Sequence, residues 1–188
     1  AGRVRETPEG AAVSLAGREL AFLDAPGHAR HHVLVRDAGS GSIFVGDSFG
    51  LSYRELDRDG MQFSFPTTSP AQFDPPALQR TIDRIVALGP KALYVTHFGQ
   101  LRDLERLAGD LHRLIEAHVE IAERHRGDGA ERGPQLRQAI TRLVLAEGKR
   151  QRWKLPESEL RGVFALDIEL NAQGLEAWLD TTARNNAR

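Results

Sequence analysis

The sequence predicts a mixed α/β fold followed by a helical region, and three observations carry that expectation. Residues from about Ala11 to Thr96 hold short β-branched and apolar runs separated by Gly-containing turns. A helical stripe ends at Gly89-Pro90 and feeds directly into the apolar run Ala92-Leu93-Tyr94-Val95-Thr96, an alternation that suits a layered sheet. From Leu101 onward the chain is charged, Leu-rich and helical in period.

The elements follow in order. Ala12–Leu15 and Glu19–Leu23 read as strands around an Ala16-Gly17 turn, followed by the loop Asp24-Ala25-Pro26-Gly27-His28. His32–Arg36 and Ser42–Val45 read as a hairpin across Ala38-Gly39-Ser40-Gly41. The stretch from Gly46 to Phe73 has little periodicity, and a loop that long usually serves a site. Asp74 is a good N-cap for a helix opened by Pro75-Pro76, with Leu78, Ile82, Ile85 and Val86 as its buried stripe. In the second half, Leu101, Leu104, Leu107, Leu111, Leu114, Ile115, His118 and Ile121 mark one long helix. Leu136, Ile140, Leu143 and Val144 mark the next, and Leu160, Val163, Phe164 and Ile168 a third. Asn171-Ala172-Gln173-Gly174 reads as a turn into a last helix through Leu175, Trp178 and Leu179. The division expected is residues 1–110 as an α/β domain and 111–188 as a helical region.

Composition excludes several classes. Lys plus Arg number 25 against 26 Asp plus Glu, a net charge of −1, so neither a nucleic-acid partner nor a polybasic membrane contact is expected. Cysteine is absent, which removes thiolate ligands, Cys nucleophiles and disulfides. No apolar run approaches the ~18 residues of a membrane span, and Ala1–Arg5 lacks the apolar core of a signal peptide. A cytoplasmic location is the expectation.

Three fragments carry chemistry: Pro26-Gly27-His28-Ala29-Arg30-His31-His32, Gly46-Asp47, and Thr96-His97. Each puts a potential metal ligand where a strand meets a loop, and strand ends are where rigid sheets hold functional groups. Neutral imidazole and carboxylate bind Zn²⁺, Fe²⁺ or Mn²⁺ without thiolate. Gly27 and Gly46 let the backbone turn tightly beside the candidate ligands. His31, His32 and Tyr53 are candidates for contacting substrate or supporting the ligands, and Thr67-Thr68-Ser69-Pro70 for lining a pocket. His112, His118 and His125 read as structural or solvated. Arg142, Lys149, Arg150, Arg152 and Lys154 with Trp153 read as a solvated helix end with a cation–π contact, an anionic-substrate or RNA contact being the alternative.

In their order and approximate spacing, these fragments resemble the metallo-β-lactamase superfamily over about Ala12 to Leu111, most closely its glyoxalase-II-like hydrolases. The resemblance implies the second half of an αβ/βα sandwich followed by a helical C-terminal region. It also implies a site for one or two metal ions, Zn²⁺ by default with Fe²⁺ or Mn²⁺ as alternatives. His28 would ligate one metal, Asp47 would bridge as the catalytic carboxylate, and His97 would ligate the second. His32 matches a second His of the same loop that usually does not ligate. The implied activity is hydrolysis, a metal-held hydroxide attacking an ester, thioester, lactone or phosphoester of a small-molecule substrate. An iron-dependent, persulfide-dioxygenase-like oxidoreductase and a degenerate, non-enzymatic interaction module are the alternatives.

One departure qualifies this. The superfamily's His-x-His-x-Asp-His run is absent, and His28-Ala29-Arg30-His31-His32 does not replace it. The chain also starts without Met. The expectation is therefore the C-terminal part of a longer protein, with a degenerate relative as the alternative. Half a sandwich leaves one sheet face uncovered, so the partner expected is the missing N-terminal half of the fold or a second copy in a homodimer.

Overall fold

The computed structural model describes residues 7–68, 72–97 and 99–186. A six-stranded sheet has the strand order β1-β2-β3-β4-β5-β6. Its strands are β1 (Ala12–Leu15), β2 (Arg18–Asp24), β3 (Val33–Asp37), β4 (Ser42–Gly46), β5 (Ala92–Val95) and β6 (Gly99–Leu101). Among the described residues, five helices accompany it: α1 (Pro75–Ala87), α2 (Leu104–Arg124), α3 (Arg132–Arg150), α4 (Glu157–Val163) and α5 (Ala165–Asn186). No described helix is long and apolar enough to cross a membrane.

The first four strands form an antiparallel meander, because the short connections between them leave no room for a crossover. The turn after β3 is held by Asp37, which accepts from the Gly39 N–H (3.0 Å) and the Ser40 hydroxyl (2.8 Å). Between β4 and β5 runs a long connection containing α1, and these two strands pair in parallel. At the start of α1, the Asp74 side chain accepts from the Ala77 N–H at 3.0 Å, and Pro occupies the first turn, where no N–H is required.

Strand alternation gives the sheet two unlike faces. Leu34, Ile43, Val45 and Leu93 point into the core. One apolar cluster joins them to Ile82 and Ile85 of α1, Leu107 and Leu111 of α2, Ile140 of α3 and Leu179 of α5. Val13, Leu15, Val33 and Phe44 are exposed, and Phe44 stacks on Tyr94 with ring centroids 5.1 Å apart. The boundary expected between residues 110 and 111 falls inside α2, whose buried residues belong to that same cluster.

Three expectations need correction. Leu101 belongs to β6, which pairs antiparallel with β5, and Asp103 in the left-handed conformation (φ 57°) separates it from α2. The third stripe is divided at Phe164 into α4 and α5. Asn171 to Gly174 form no turn: they lie inside α5, because the Asn171 side chain bonds a neighbouring loop and does not compete with its own helix backbone. The Trp153 ring packs among aromatics, stacked on Phe164 at 5.6 Å and edge-on to Phe63 at 4.8 Å.

The stretch after β4 has little regular structure but is well anchored. Leu51 and Phe65 form a β-bridge. The Ser52 hydroxyl donates to the Phe63 carbonyl and the Ser64 hydroxyl to the Phe49 carbonyl. Phe49, Phe63 and Phe65 are buried, with Phe65 5.4 Å from the Phe164 ring.

Candidate metal centre

Strand direction decides where the site forms. β2 and β4 each run antiparallel to β3, and β5 runs parallel to β4. β2, β4 and β5 therefore end at the same edge of the sheet. His28 follows β2, Asp47 follows β4 and His97 follows β5, so topology brings together residues far apart in sequence.

His28 sits on a loop fastened to α1. The Thr81 hydroxyl donates to the Pro26 carbonyl (2.7 Å), and the Asp74 N–H donates to the Gly27 carbonyl (2.8 Å). Gly27 has φ 134°, and a Cβ there would lie 2.3 Å from the Leu78 backbone, so only glycine permits this approach. His28 Nδ1 lies 3.4 Å from the Thr67 carbonyl and 3.0 Å from its hydroxyl. A carbonyl only accepts, so Nδ1 carries the proton and Nε2 keeps its lone pair. Nε2 faces Asp47 Oδ2 at 3.8 Å. Burial pushes the His28 pKa down, against the opposing pull of the Asp47 charge, which keeps the ring neutral and able to ligate.

Asp47 is aimed by its own backbone. Gly46 has φ 54°, which bends the chain out of β4. The His32 ring fills the space beside it, and a Cβ on Gly46 would come within 2.4 Å of His32 Cε1. His32 Nε2 accepts the Asp47 N–H at 3.1 Å, so Nε2 is unprotonated and Nδ1–H donates to the Ser48 hydroxyl at 3.0 Å. Burial lowers the His32 pKa, in keeping with the neutral ring these bonds require. His32 is thus a positioning residue that braces the Asp47 turn. His31 is exposed and is not among the described residues lining the cavity below.

His97 follows β5 directly. The Thr96 N–H donates to the Gly46 carbonyl (3.2 Å), tying the ends of β5 and β4 together. His97 Nε2 lies 3.5 Å from Asp47 Oδ1, and that oxygen is buried without a hydrogen-bond partner. A buried carboxylate oxygen lacking a donor is costly, and a cation would satisfy it.

The two imidazoles thus approach opposite oxygens of one carboxylate, a donor set that suits Zn²⁺, Fe²⁺ or Mn²⁺. Among the described residues, no group of three or more His, Cys, Asp or Glu side chains is placed to hold a metal ion. His28, Asp47 and His97 are donors of the right chemical type, and a metal held there would need further ligands.

A cavity of about 380 Å³ opens in front of these groups. Its other walls are Leu51, Tyr53 and Thr67 from the long loop, and Leu166, Asp167, Leu170 and Asn171 from α5. The Tyr53 hydroxyl donates to Asp167 Oδ2 at 2.7 Å. Burial raises the pKa of both partners; the shared bond raises the Tyr53 value further and pulls the Asp167 value back down. Asn171 anchors the loop: its Oδ1 accepts from the Thr68 N–H (2.9 Å) and its Nδ2 donates to the Pro66 carbonyl (3.0 Å). Thr67 lines the cavity and Thr68 is buried against Asn171; Ser69 and Pro70 lie outside the described residues. Asp167 and Asn171 were not legible as site residues, because what marks them is contact with Tyr53 and Thr68, more than 100 residues away in sequence (separations of 114 and 103).

His118 is fully buried, and desolvation depresses its pKa to about 4. Its Nδ1–H donates to the Leu114 carbonyl (2.7 Å), and its Nε2 faces the Asn171 amide at 3.3 Å. His112 pairs with Asp83 (2.8 Å) and His125 with Asp128 (2.7 Å), both away from the cavity.

Neither a family model nor a curated protein matches the chain. Solved structures do. The chain is similar to a metallo-β-lactamase family protein from Thermus thermophilus, at TM-score 0.51 and 20% identity over 94% of this chain and 48% of that one. It is also similar to a β-lactamase domain protein from Burkholderia ambifaria, at TM-score 0.52 and 17% identity over 93% of this chain and 47% of that one. The chain spans about half the length of these proteins. At such identities the likeness is one of fold.

Proposed function

We propose that this chain, which has the metallo-β-lactamase fold, supplies one side of a metal-dependent hydrolase centre. The observation that carries the reading is Asp47 Oδ1, buried without a donor and flanked by the Nε2 atoms of His28 and His97 across the same carboxylate. His28, Asp47 and His97 would hold one or two metal ions. Zn²⁺ is the ion proposed, and Fe²⁺ or Mn²⁺ suits the same donors. When bound, the metal supplies Lewis acidity and lowers the pKa of a water molecule.

The protein's own residues do the rest. Thr67 fixes the tautomer of His28, and His32 holds the backbone that presents Asp47. Leu51, Leu166 and Leu170 make the cavity wall apolar, which strengthens electrostatic interactions inside it. The substrates proposed are small esters, thioesters, lactones or phosphoesters. The remaining ligands would come from a second αβ layer packed on the exposed sheet face, and that layer is the partner proposed.

Zinc titration by calorimetry tests the centre. Wild-type chain should bind Zn²⁺, and His28→Ala, Asp47→Asn and His97→Ala should each weaken binding by about tenfold or more. Unchanged affinity in Asp47→Asn, with the fold intact by circular dichroism, overturns the assignment.

A further inference from the structure

We propose that Asp167 is the specificity-determining group of this cavity, selecting substrates that carry an ammonium or other strong hydrogen-bond donor beside an apolar group. The proposal rests on the reading of the cavity as a hydrolase site and adds the substrate class.

Asp167 lies in the first turn of α5, where a carboxylate is favoured by the helix dipole. That accounts for a negative charge, but an exposed Asp would serve the dipole equally well. Asp167 is instead half-buried, lines the same cavity as His28, Asp47 and His97, and is clamped by the Tyr53 hydroxyl at 2.7 Å. The Tyr53 ring is itself fixed edge-on against Phe164, with centroids 5.4 Å apart. The electrostatic neighbours of Asp167 are Tyr53 and His97, and no Lys or Arg is paired with it among the described residues. A carboxylate has about four acceptor positions, and the Tyr53 hydroxyl and the Asp167 backbone N–H occupy two of them.

The adjacent wall sets the rest of the class. Leu166 and Leu170 flank Asp167 on α5, and Leu166 is 67% exposed although it borders a cavity. An apolar substituent of the substrate would cover it, while a donor on the neighbouring atom would reach the carboxylate. Polar recognition beside an apolar wall is the usual composition of a small-molecule site.

The test uses leucinamide and its des-amino isostere 4-methylpentanamide, which differ in the ammonium group alone. Each is titrated into the ¹⁵N-labelled full chain, with and without Zn²⁺, while the amide signals of residues 165–171 are followed. Wild type should bind leucinamide about fivefold more tightly than the neutral amide, and Asp167→Asn should bring the two to parity. Asn preserves shape and can still accept from Tyr53, and unchanged 4-methylpentanamide binding shows that the pocket survives. Equal affinities in wild type, no binding of either amide, or a preference that persists in Asp167→Asn overturns the proposal. A preference seen in protein that takes up no Zn²⁺ upholds the subsite while overturning the metal centre.

Discussion

Glycine 46 shows how much of the site depends on one missing methyl group. With φ 54°, it occupies a conformation that costs an L-residue about 1 kcal/mol or more, and a Cβ would also collide with the His32 ring. The ring cannot retreat without giving up the Asp47 N–H and the Ser48 hydroxyl. Gly46→Ala should therefore destabilise the fold by about 2–4 kcal/mol, read by urea denaturation. It should also weaken Zn²⁺ by about 10–100-fold, because Asp47 moves with the backbone. A destabilised variant with wild-type zinc affinity would separate the turn from the centre. At this scale the sequence was informative in part: strand ends and side-chain type singled out His28, Asp47 and His97, which the structure places around one carboxylate, while their proposed roles as ligands rested on the resemblance. Asp167 could not, because what marks it is the Tyr53 clamp, and nothing local in α5 reports that contact.

Helix α5 was the element hardest to read. Asn171 and Gly174 have low helix propensity and suggested a turn, yet tertiary bonds from Asn171 to Pro66 and Thr68 carry the helix through. β6 was missed because three residues leave too little pattern to detect. The strands from β1 to β5 were legible because alternation and glycine turns are dictated locally. The contact between α5 and α2 has a pH signature. His118 titrates at about 4 in the folded protein against 6.5 as its ordinary value, because burial penalises the charged ring. Above pH 6.5 neither the folded nor the unfolded state protonates it, so the stability is complete there. Below that, the unfolded state takes up the proton first, and stability falls until the folded state follows near pH 4. The loss approaches about 3 kcal/mol over this window. Between pH 6.5 and 5 most carboxylates stay ionised, so urea midpoints there isolate histidine. His28 and His32 are shifted in the same direction and add to the slope. His118→Gln should flatten the slope without abolishing it, whereas an unchanged slope would show that His118 is not the group responsible.

The whole molecule is asymmetric about its sheet. One face is sealed by helices through Leu34, Ile43, Val45 and Leu93, while the other presents Val13, Leu15, Val33 and Phe44 to solvent. A single exposed hydrophobe is ordinary, but on this face Phe22, Val35, Phe44 and Tyr94 stand in register across β2 to β5, and an apolar row of that kind marks a contact surface. Phe44 and Tyr94, stacked in adjacent strands, form the flat centre of that row. Covering a side chain of this size contributes about 1.5–3 kcal/mol, enough for several together to drive association. The second αβ layer proposed above would cover this row. When the chain is studied alone, the same face should drive self-association. Sedimentation should then show concentration-dependent oligomers that bind a hydrophobic dye. The double variant Leu15→Lys with Phe44→Lys should be monomeric and dye-poor, since both side chains already face water and their replacement leaves the core intact. Its zinc affinity should equal that of wild type, because the proposed ligands lie at the strand ends and not on this face. A wild-type chain that stays monomeric and dye-free at high concentration would mean that the row is too dispersed to act as an interface. The proposal that a second layer packs on this face and completes the centre would then fail.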